Sequence, residues 1–243
     1  MTHPCSGLGV SRWRSFLLAA EIGARPLVPA RHSPRQFPLH PYTAADLLAL
    51  AAELGIVRWR RMERVRIELR DGYYLSGIAA GDEDAFITHY SDGKIGEMIP
   101  ALPYPYGREE AETWVGHRIH FRDEAGAETT FAIRRPDGFL VGCVGVDDYP
   151  VRSRDTAELG YWLAPVERGR GLAVSAVVAF LHYGFSILGL SRITACTLAC
   201  NPASARVLKK TGFQRVGVKS QYTTTRAGTF DTLFFELPRE RCP

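Results

Sequence analysis

The sequence predicts a mixed α/β fold in which a mostly antiparallel sheet has helices on both faces. Two hairpin signals support the antiparallel part, because Asp71-Gly72 and Pro136-Asp137-Gly138 each lie between two strand-like runs. A third observation adds a strand–turn–helix unit, in which a strand-like run at 156–164 precedes a glycine-rich turn and the apolar run 174–188. The 243 residues, 46% of them hydrophobic, suffice for one sizeable domain with additions.

The other elements follow in order along the chain. β-Branched, aromatic or alternating runs predict strands at 65–69, 73–78, 131–135, 140–146, 156–164, 192–199, 214–219 and 232–237. Helices are predicted at 43–54, 83–90, 109–121, 174–188 and 202–210.

The turn at 168–173 constrains function more than any other segment. It consists of Arg168, Gly169, Arg170, Gly171, Leu172 and Ala173, and it leads from a strand into a helix N-terminus. Exposed N–H groups and the helix dipole bind anions at such a turn, so we predict a phosphate or pyrophosphate site. A dinucleotide-binding motif is excluded because Val174 occupies the third glycine position, and the P-loop pattern is absent.

A second motif follows the strand at 192–199. Asn201 is a good N-cap, Pro202 suits the first helical position, and Gly212 suits the residue that ends a helix. The sequence therefore predicts a short, well-delimited helix with Ser204 in its first turn.

Together these motifs resemble the GNAT superfamily of N-acetyltransferases. Arg168-x-x-Gly171-x-Ala173 is similar to that family's R/Q-x-x-G-x-G/A pyrophosphate turn, and Asn201-x-x-Ser204 is similar to the start of the helix after its fifth strand. The likeness extends over about residues 71–237. Three further segments resemble the ribosomal-protein N-terminal acetyltransferases of the RimJ/RimL type, namely 92–95, 102–106 and 110–114.

The resemblance implies an enzyme that uses acetyl-CoA as co-substrate and acetylates a primary amine. A protein N-terminal α-amine is the expected acceptor, and a small polyamine or antibiotic-like amine is the alternative. A non-catalytic acyl-CoA-binding module is the second class of function that the motifs allow. The resemblance also implies that the strands at 156–164 and 192–199 splay apart, with the pantetheine arm in the gap.

Expected cofactor contacts extend beyond the turn at 168–173. Backbone N–H groups around Trp162, Leu163 and Ala164 are expected to pair with the pantetheine and polarise the thioester. Asn201 is expected either to cap its helix only or also to bind the pantetheine. We expect no metal, because Cys196 and Cys200 lack the spacing and partners of a ligand set and are better interpreted as reduced thiols.

Two side chains are expected to carry the chemistry. Many relatives have a tyrosine seven residues after the asparagine, where this chain has Leu208, so Ser204 is the expected general acid; the alternative is a serine that only bonds to the helix backbone. Glu158 is the expected general base, and an ion pair at the strand edge is its alternative role. The reserve candidates for the base are Asp148, Glu97 and His182, the last of which is more typical of a core histidine.

Composition divides the chain into three segments. Residues 1–41, with six prolines, are expected to be disordered, 42–70 to form a helix and a lead-in strand, and 71–238 to form the acetyltransferase domain. The apolar stripe of the helix at 43–54 is expected to dock on its own domain or in a homodimer.

Charge and hydropathy limit the kinds of partner that we expect for this chain. Residues 1–70 hold eleven arginines and five acids, whereas the other residues hold 19 basic and 21 acidic side chains. The basic patch at 58–61 is better interpreted as a solvated helix face than as a nucleic-acid contact. The longest apolar stretch, 172–190, is interrupted by polar residues and glycines, so we expect no membrane span and a cytoplasmic enzyme.

Overall fold

The computed structural model of the protein describes residues 65–91, 95–100, 102–147 and 155–243. The predictions for residues 1–64 lie outside the described residues: the disordered extension, the helix at 43–54 and the basic patch. The reserve base Asp148 also lies outside them.

Eight strands and four helices make up the described part of the chain. The strands are β1 (Arg66–Glu68), β2 (Tyr74–Gly77), β3 (Thr130–Arg134), β4 (Leu140–Asp147), β5 (Thr156–Leu163), β6 (Arg192–Leu198), β7 (Gln214–Thr225) and β8 (Gly228–Pro238). The helices are α1 (Glu83–Tyr90), α2 (Arg108–Ala125), α3 (Leu172–Ser186) and α4 (Pro202–Lys210).

The strands form one mixed sheet with the order β1-β2-β3-β4-β5-β6-β8-β7. Every neighbouring pair is antiparallel except β5 and β6, which are parallel. A parallel pair needs a crossover connection, and α3 supplies it. The predicted fold class is therefore confirmed, and the single parallel pair places the N-terminus of α3 next to the end of β5.

Local signals placed most elements correctly. Asp71 and Gly72 have φ values of 55° and 75°, as a tight hairpin between β1 and β2 requires. The side chain of Asn201 accepts a hydrogen bond from Ser204 N–H at 3.1 Å, which confirms the predicted cap of α4. Helix α3 begins at Leu172, two residues before its predicted start, because left-handed Gly171 ends the turn.

The β7–β8 hairpin is longer than predicted. The segment 221–230, expected to be a loop, continues both strands and leaves only Arg226 and Ala227 between them. Its threonines pair across the strands, since Thr223 bonds to Thr232 through their side-chain oxygens and Thr224 pairs with Thr229. β-Branched threonines favour a pleated surface, so a polar sequence here forms strands.

Two hydrophobic layers cover the sheet. One face packs against α3 and includes the fully buried Phe131, Val177 and Phe180. The other face packs against α1 and α2 through Phe86 and Trp114. Helices on both faces agree with the prediction. Among the described residues, no helix is both long and apolar enough to cross a bilayer.

One buried carboxyl group is expected to make the stability of the fold depend on pH. Glu128 is 6% exposed, and burial raises its pKa from 4.5 to about 7. The folded protein therefore keeps a proton that the unfolded chain loses above pH 4.5. Its free energy of unfolding should fall by on the order of 3 kcal/mol as pH rises from 4.5 through 7.

We expect Glu128→Gln to remove this decline, so that the variant matches the wild type near pH 4.5 and is more stable at pH 8. Urea unfolding at several pH values measures the effect. Glu112→Gln, which changes an exposed carboxylate on α2, is the matched control and should leave the pH dependence unchanged. Parallel curves for wild type and Glu128→Gln would contradict the assignment.

Candidate active site

A cleft opens where β5 and β6 separate. The two strands pair from Thr156–Arg192 to Leu159–Ala195, and both continue beyond the last pair. The cleft has a volume of about 520 Å³ and extends from the unpaired half of β5 to the turn at 168–173. The expected gap between these strands is therefore present.

Backbone donors of β5 alternate between β4 and this gap. Ala164 N–H donates to the Val141 carbonyl oxygen at 2.8 Å. Because bonded and non-bonded pairs alternate in an antiparallel ladder, and the β4–β5 register is unbroken, Trp162 N–H also points to β4. The N–H groups of Tyr161 and Leu163 point the other way, into the gap. The backbone N–H groups predicted to face the cleft were those of Trp162, Leu163 and Ala164. Of these, only Leu163 N–H faces it, and Tyr161 N–H, which was not predicted, faces it as well.

The turn at 168–173 has the conformation that an anion site needs. Gly169 and Gly171 have φ values of 83° and 80°, which favour glycine, and Gly171 is the N-cap of α3. Arg168 Nε donates to the Leu163 carbonyl oxygen at 3.0 Å and fixes the turn to the end of β5. The guanidinium of Arg170 instead bonds to the buried carboxylate of Glu167.

Charge in the cleft has one sign. Three of the described residues that line it are cationic, namely Arg168, Arg206 and Lys210, and none of those described is acidic. Arg206 and Lys210 lie on α4 and were not predicted as site residues; their spacing of four on a helix was the available signal. The positive cleft suits a ligand with several phosphate groups.

A pair of hydroxyl groups lies in the wall of the cleft. Tyr161 Oη is 2.8 Å from Ser204 Oγ and also donates to the Ser204 carbonyl oxygen at 3.1 Å. Burial raises the pKa of Tyr161 to about 12, against a smaller lowering by the bond to Ser204. The phenol therefore stays protonated at neutral pH and can donate a proton.

Tyr161 is a further candidate site residue that the sequence prediction missed. The expected tyrosine position on α4 is Leu208, which is fully buried in the core. Tyr161 approaches Ser204 from β5, 43 residues earlier in the chain. Alternation along the strand was the available signal, because it places Tyr161 on the same face as Leu159 and Leu163, against α3 and α4.

Glu158 lies on the opposite face of β5 from Tyr161. It is half-buried, and the thiol of Cys196 on β6 donates to its Oε1 at 3.1 Å. Burial raises the pKa of Cys196 well above its usual range, so the thiol keeps the proton that it donates. Glu158 does not line the cleft itself. The predicted base and the predicted acid are thus on different faces of the sheet.

The reserve candidates lie elsewhere. His182 is exposed on α3 and does not line the cleft, so the core environment expected for it is wrong. Glu97 is exposed in the turn Gly96–Met98, next to Met98 in the cleft wall. Within the described ranges no three His, Cys, Asp or Glu side chains form a metal-binding group.

The other wall of the cleft is apolar. Ile95, Met98 and Ile99 come from the segment between α1 and α2, and Trp162 completes this wall. Trp162 is held by aromatic neighbours, with ring centroids 5.2 Å from Tyr90 and 5.4 Å from His89. This wall presents an apolar surface beside the gap.

Comparison with known proteins identifies the class. Residues 74–214 match the family described as "Acetyltransferase (GNAT) domain", more than half of the chain. The chain therefore belongs to the GNAT acetyltransferase family and is an N-acetyltransferase. Enzymes of this family use acetyl-CoA.

Individual relatives agree on the family but differ in acceptor. An uncharacterized N-acetyltransferase YoaA of Bacillus subtilis is 37% identical over 108 residues, 44% of this chain and 60% of that protein. A ribosomal-protein-S5-alanine acetyltransferase from Vibrio fischeri superposes with a TM-score of 0.64 at 18% identity, over 74% of this chain and 99% of the other. A spermidine N-acetyltransferase from Vibrio cholerae, in complex with CoA and spermine, has a TM-score of 0.61 at 20% identity, over 71% and 98%. These structural likenesses show the fold alone.

Proposed function

We propose that this enzyme transfers the acetyl group of acetyl-CoA to a protein N-terminal α-amine. The observation that carries the acetyl transfer, whatever the acceptor, is the hydrogen-bonded pair of Tyr161 and Ser204 at the gap between β5 and β6. The diphosphate would lie on the turn at 168–173, with Arg206 and Lys210 near other phosphate oxygens. The pantetheine would lie in the gap, where the N–H groups of Tyr161 and Leu163 can pair with it.

The reaction needs a proton donor where the thiolate leaves. The acceptor amine attacks the thioester carbonyl, and its oxygen becomes negative in the tetrahedral intermediate. Outward N–H groups of β5 would stabilise that charge without a side chain. The C–S bond then breaks, and Tyr161 or Ser204 gives its proton to the departing CoA thiolate. The proton that the acetylated nitrogen releases returns through water to the hydroxyl pair.

The amine must first lose a proton on the opposite side. Glu158 lies on the face of β5 that carries Trp162 and the apolar wall, where an acceptor would approach. Its carboxylate can accept the proton directly or through a water molecule. An acid on one face and a base on the other would keep their proton transfers separate.

The chemistry of the cleft favours an N-terminal amine over a polyamine. Carboxylates best hold the second amine of a polycationic acceptor, and among the described residues that line the cleft none is acidic; Glu97 and Glu158 lie outside that lining. An α-amine followed by neutral side chains instead fits the wall of Ile95, Met98 and Ile99.

The acceptor assignment is tested with acetyl-CoA and a panel of amines, following the release of CoA thiol. The panel contains peptides with free N-termini of different first residues, the same peptides with blocked N-termini and internal lysines, and spermidine. We expect transfer to free N-termini and little to the other two. A higher kcat/KM for spermidine than for every peptide would contradict the acceptor, and no turnover with any amine would favour a binding module.

The cofactor site is tested at Gly171. Acetyl-CoA at about a hundred times its Kd should stabilise the wild type by about 2.7 kcal/mol in thermal unfolding. Gly171→Glu adds a negative charge where the diphosphate would lie, so we expect this stabilisation to disappear. Gly171→Ala is the control, because it meets the same unfavourable φ of 80° without the charge. An undiminished shift in folded Gly171→Glu would contradict the site.

A further inference from the structure

The hairpin between β1 and β2 contacts the phosphate-binding turn. This hairpin spans residues 66–77, and its first strand and its turn lie before the family match, which begins at residue 74. Its tip therefore lies outside the matched range. Two of its side chains, Arg70 and Tyr73, reach the turn and the short 3₁₀ helix Pro165–Glu167 before it.

Tyr73 fixes the hairpin to the turn. Its hydroxyl donates to Glu167 Oε2 at 2.7 Å, and Arg170 bonds to the same oxygen from the turn. The side chain of Glu167 is 5% exposed, so this carboxylate is shielded from water and its bonds are strong. The hairpin and the turn consequently form one unit, and Arg170 is oriented by Glu167 rather than by the cleft.

Arg70 stands directly beside the glycine that begins α3. Its Nη1 lies 3.0 Å from the position that a Cβ on Gly171 would occupy. The Nε of Arg70 is paired with Asp71 Oδ2 at 3.0 Å, which orients the guanidinium and leaves its Nη edge towards the turn. About half of the side chain is exposed, at the end of the cleft where Gly169 and Gly171 form the lining.

We propose that Arg70 is an additional ligand of the diphosphate of acetyl-CoA, supplied by the hairpin and not by the family motif. The proposal rests on the proposed function of the turn. A planar guanidinium can bond to two oxygens of one phosphate, and it adds a full positive charge that the neutral backbone N–H groups lack. With Arg170 held by Glu167, Arg70 takes the place of a second arginine at the turn.

The test compares acyl donors that carry successively less of the nucleotide part of acetyl-CoA. These are acetyl-CoA, its 3′-dephospho form, and S-acetylpantetheine, which has no diphosphate. The variant is Arg70→Gln, and the matched control is Arg66→Gln, which removes an exposed arginine of the same hairpin that pairs with Glu68. Thermal unfolding without ligand checks that both variants fold like the wild type.

We expect Arg70→Gln to lower kcat/KM about tenfold for acetyl-CoA and for its dephospho form, through KM. Its kcat/KM for S-acetylpantetheine should equal that of the wild type, and Arg66→Gln should be near wild type with all three donors. Arg70→Lys should recover part of the loss. A partial recovery of kcat/KM in Arg70→Lys, which keeps the positive charge but not the planar guanidinium, would agree with a phosphate contact.

Three outcomes would overturn the proposal. An unchanged kcat/KM for acetyl-CoA in Arg70→Gln would mean that Arg70 binds no phosphate. A loss with acetyl-CoA but not with its dephospho form would assign Arg70 to the 3′-phosphate. An equal loss with S-acetylpantetheine would assign it a structural role. Failure of the wild type to bind or use acetyl-CoA would instead refute the proposed function itself.

Discussion

Tyr161→Phe and Ser204→Ala are each expected to lower kcat about 10²-fold, with little change in the Kd of acetyl-CoA. The two hydroxyl groups form the proton donor proposed for the leaving thiolate, and a positioned acid contributes about this factor. Phenylalanine keeps the ring that packs against the core of α3 and α4, so the fold should be retained. Tyr222→Phe, which removes a tyrosine hydroxyl from β7, is the matched control.

The double variant separates a relay from two independent donors. If the hydroxyls act as one unit, the double variant should be no slower than the slower single variant, because effects within a unit are not additive. Pre-steady-state kinetics must show that acetyl transfer limits kcat. A normal kcat in both single variants would remove the pair from the mechanism, and a loss in Ser204→Ala alone would leave serine as the acid.

Asp82→Ala is expected to reduce the free energy of unfolding by about 3–5 kcal/mol. Arg134 on β3 makes two bonds to Asp82, Nη1–Oδ1 and Nη2–Oδ2, both of 2.8 Å, and the side chains are only 11% and 9% exposed. Asp82 Oδ2 also accepts from Ala79 N–H at 2.9 Å. Removing the carboxylate would leave the guanidinium buried without its counter-charge.

Asp84→Ala is the matched control for this prediction. Asp84 is in the first turn of α1, two residues after the N-cap Asp82, and pairs with Arg108, but these side chains are 76% and 56% exposed. An exposed pair contributes about 0–1 kcal/mol, so this variant should be nearly as stable as the wild type. Urea titration followed by far-UV circular dichroism measures both. Equal losses in the two variants would show that burial does not decide the strength of the Asp82–Arg134 pair.

The elements predicted correctly from the sequence are those fixed by neighbouring residues. The Asp71-Gly72 hairpin and the Asn201 cap depend on backbone conformations that a few adjacent residues determine. The turn at 168–173 was recognisable for the same reason. The Thr-rich continuation of β7 and β8 over residues 221–230 was missed because its stability comes from pairing across the hairpin, which a polar sequence does not reveal.

The candidate site was only partly predictable because several of its contacts join distant segments. Ser204 was identified from its motif, but its partner Tyr161 comes from another strand, and the bond depends on how α4 packs on β5. The direction of each N–H group in β5 depends on the register with β4, which no local pattern sets. The role of Glu158 stays a prediction, since its bond to Cys196 agrees with either a base or a structural carboxylate.

The gap beside β5 should change the amide hydrogen exchange of the middle of this sheet in solution. Central strands normally exchange their amide hydrogens only when the whole protein opens, whereas edge strands exchange readily. Tyr161 and Leu163 lie in a central strand, yet their N–H groups face a cleft instead of another strand. In the free enzyme these two N–H groups should take up deuterium as fast as those of an edge strand. They should become protected once a pantetheine chain fills the gap. The cofactor would then serve as a removable strand, and the sheet would be continuous only in the loaded enzyme.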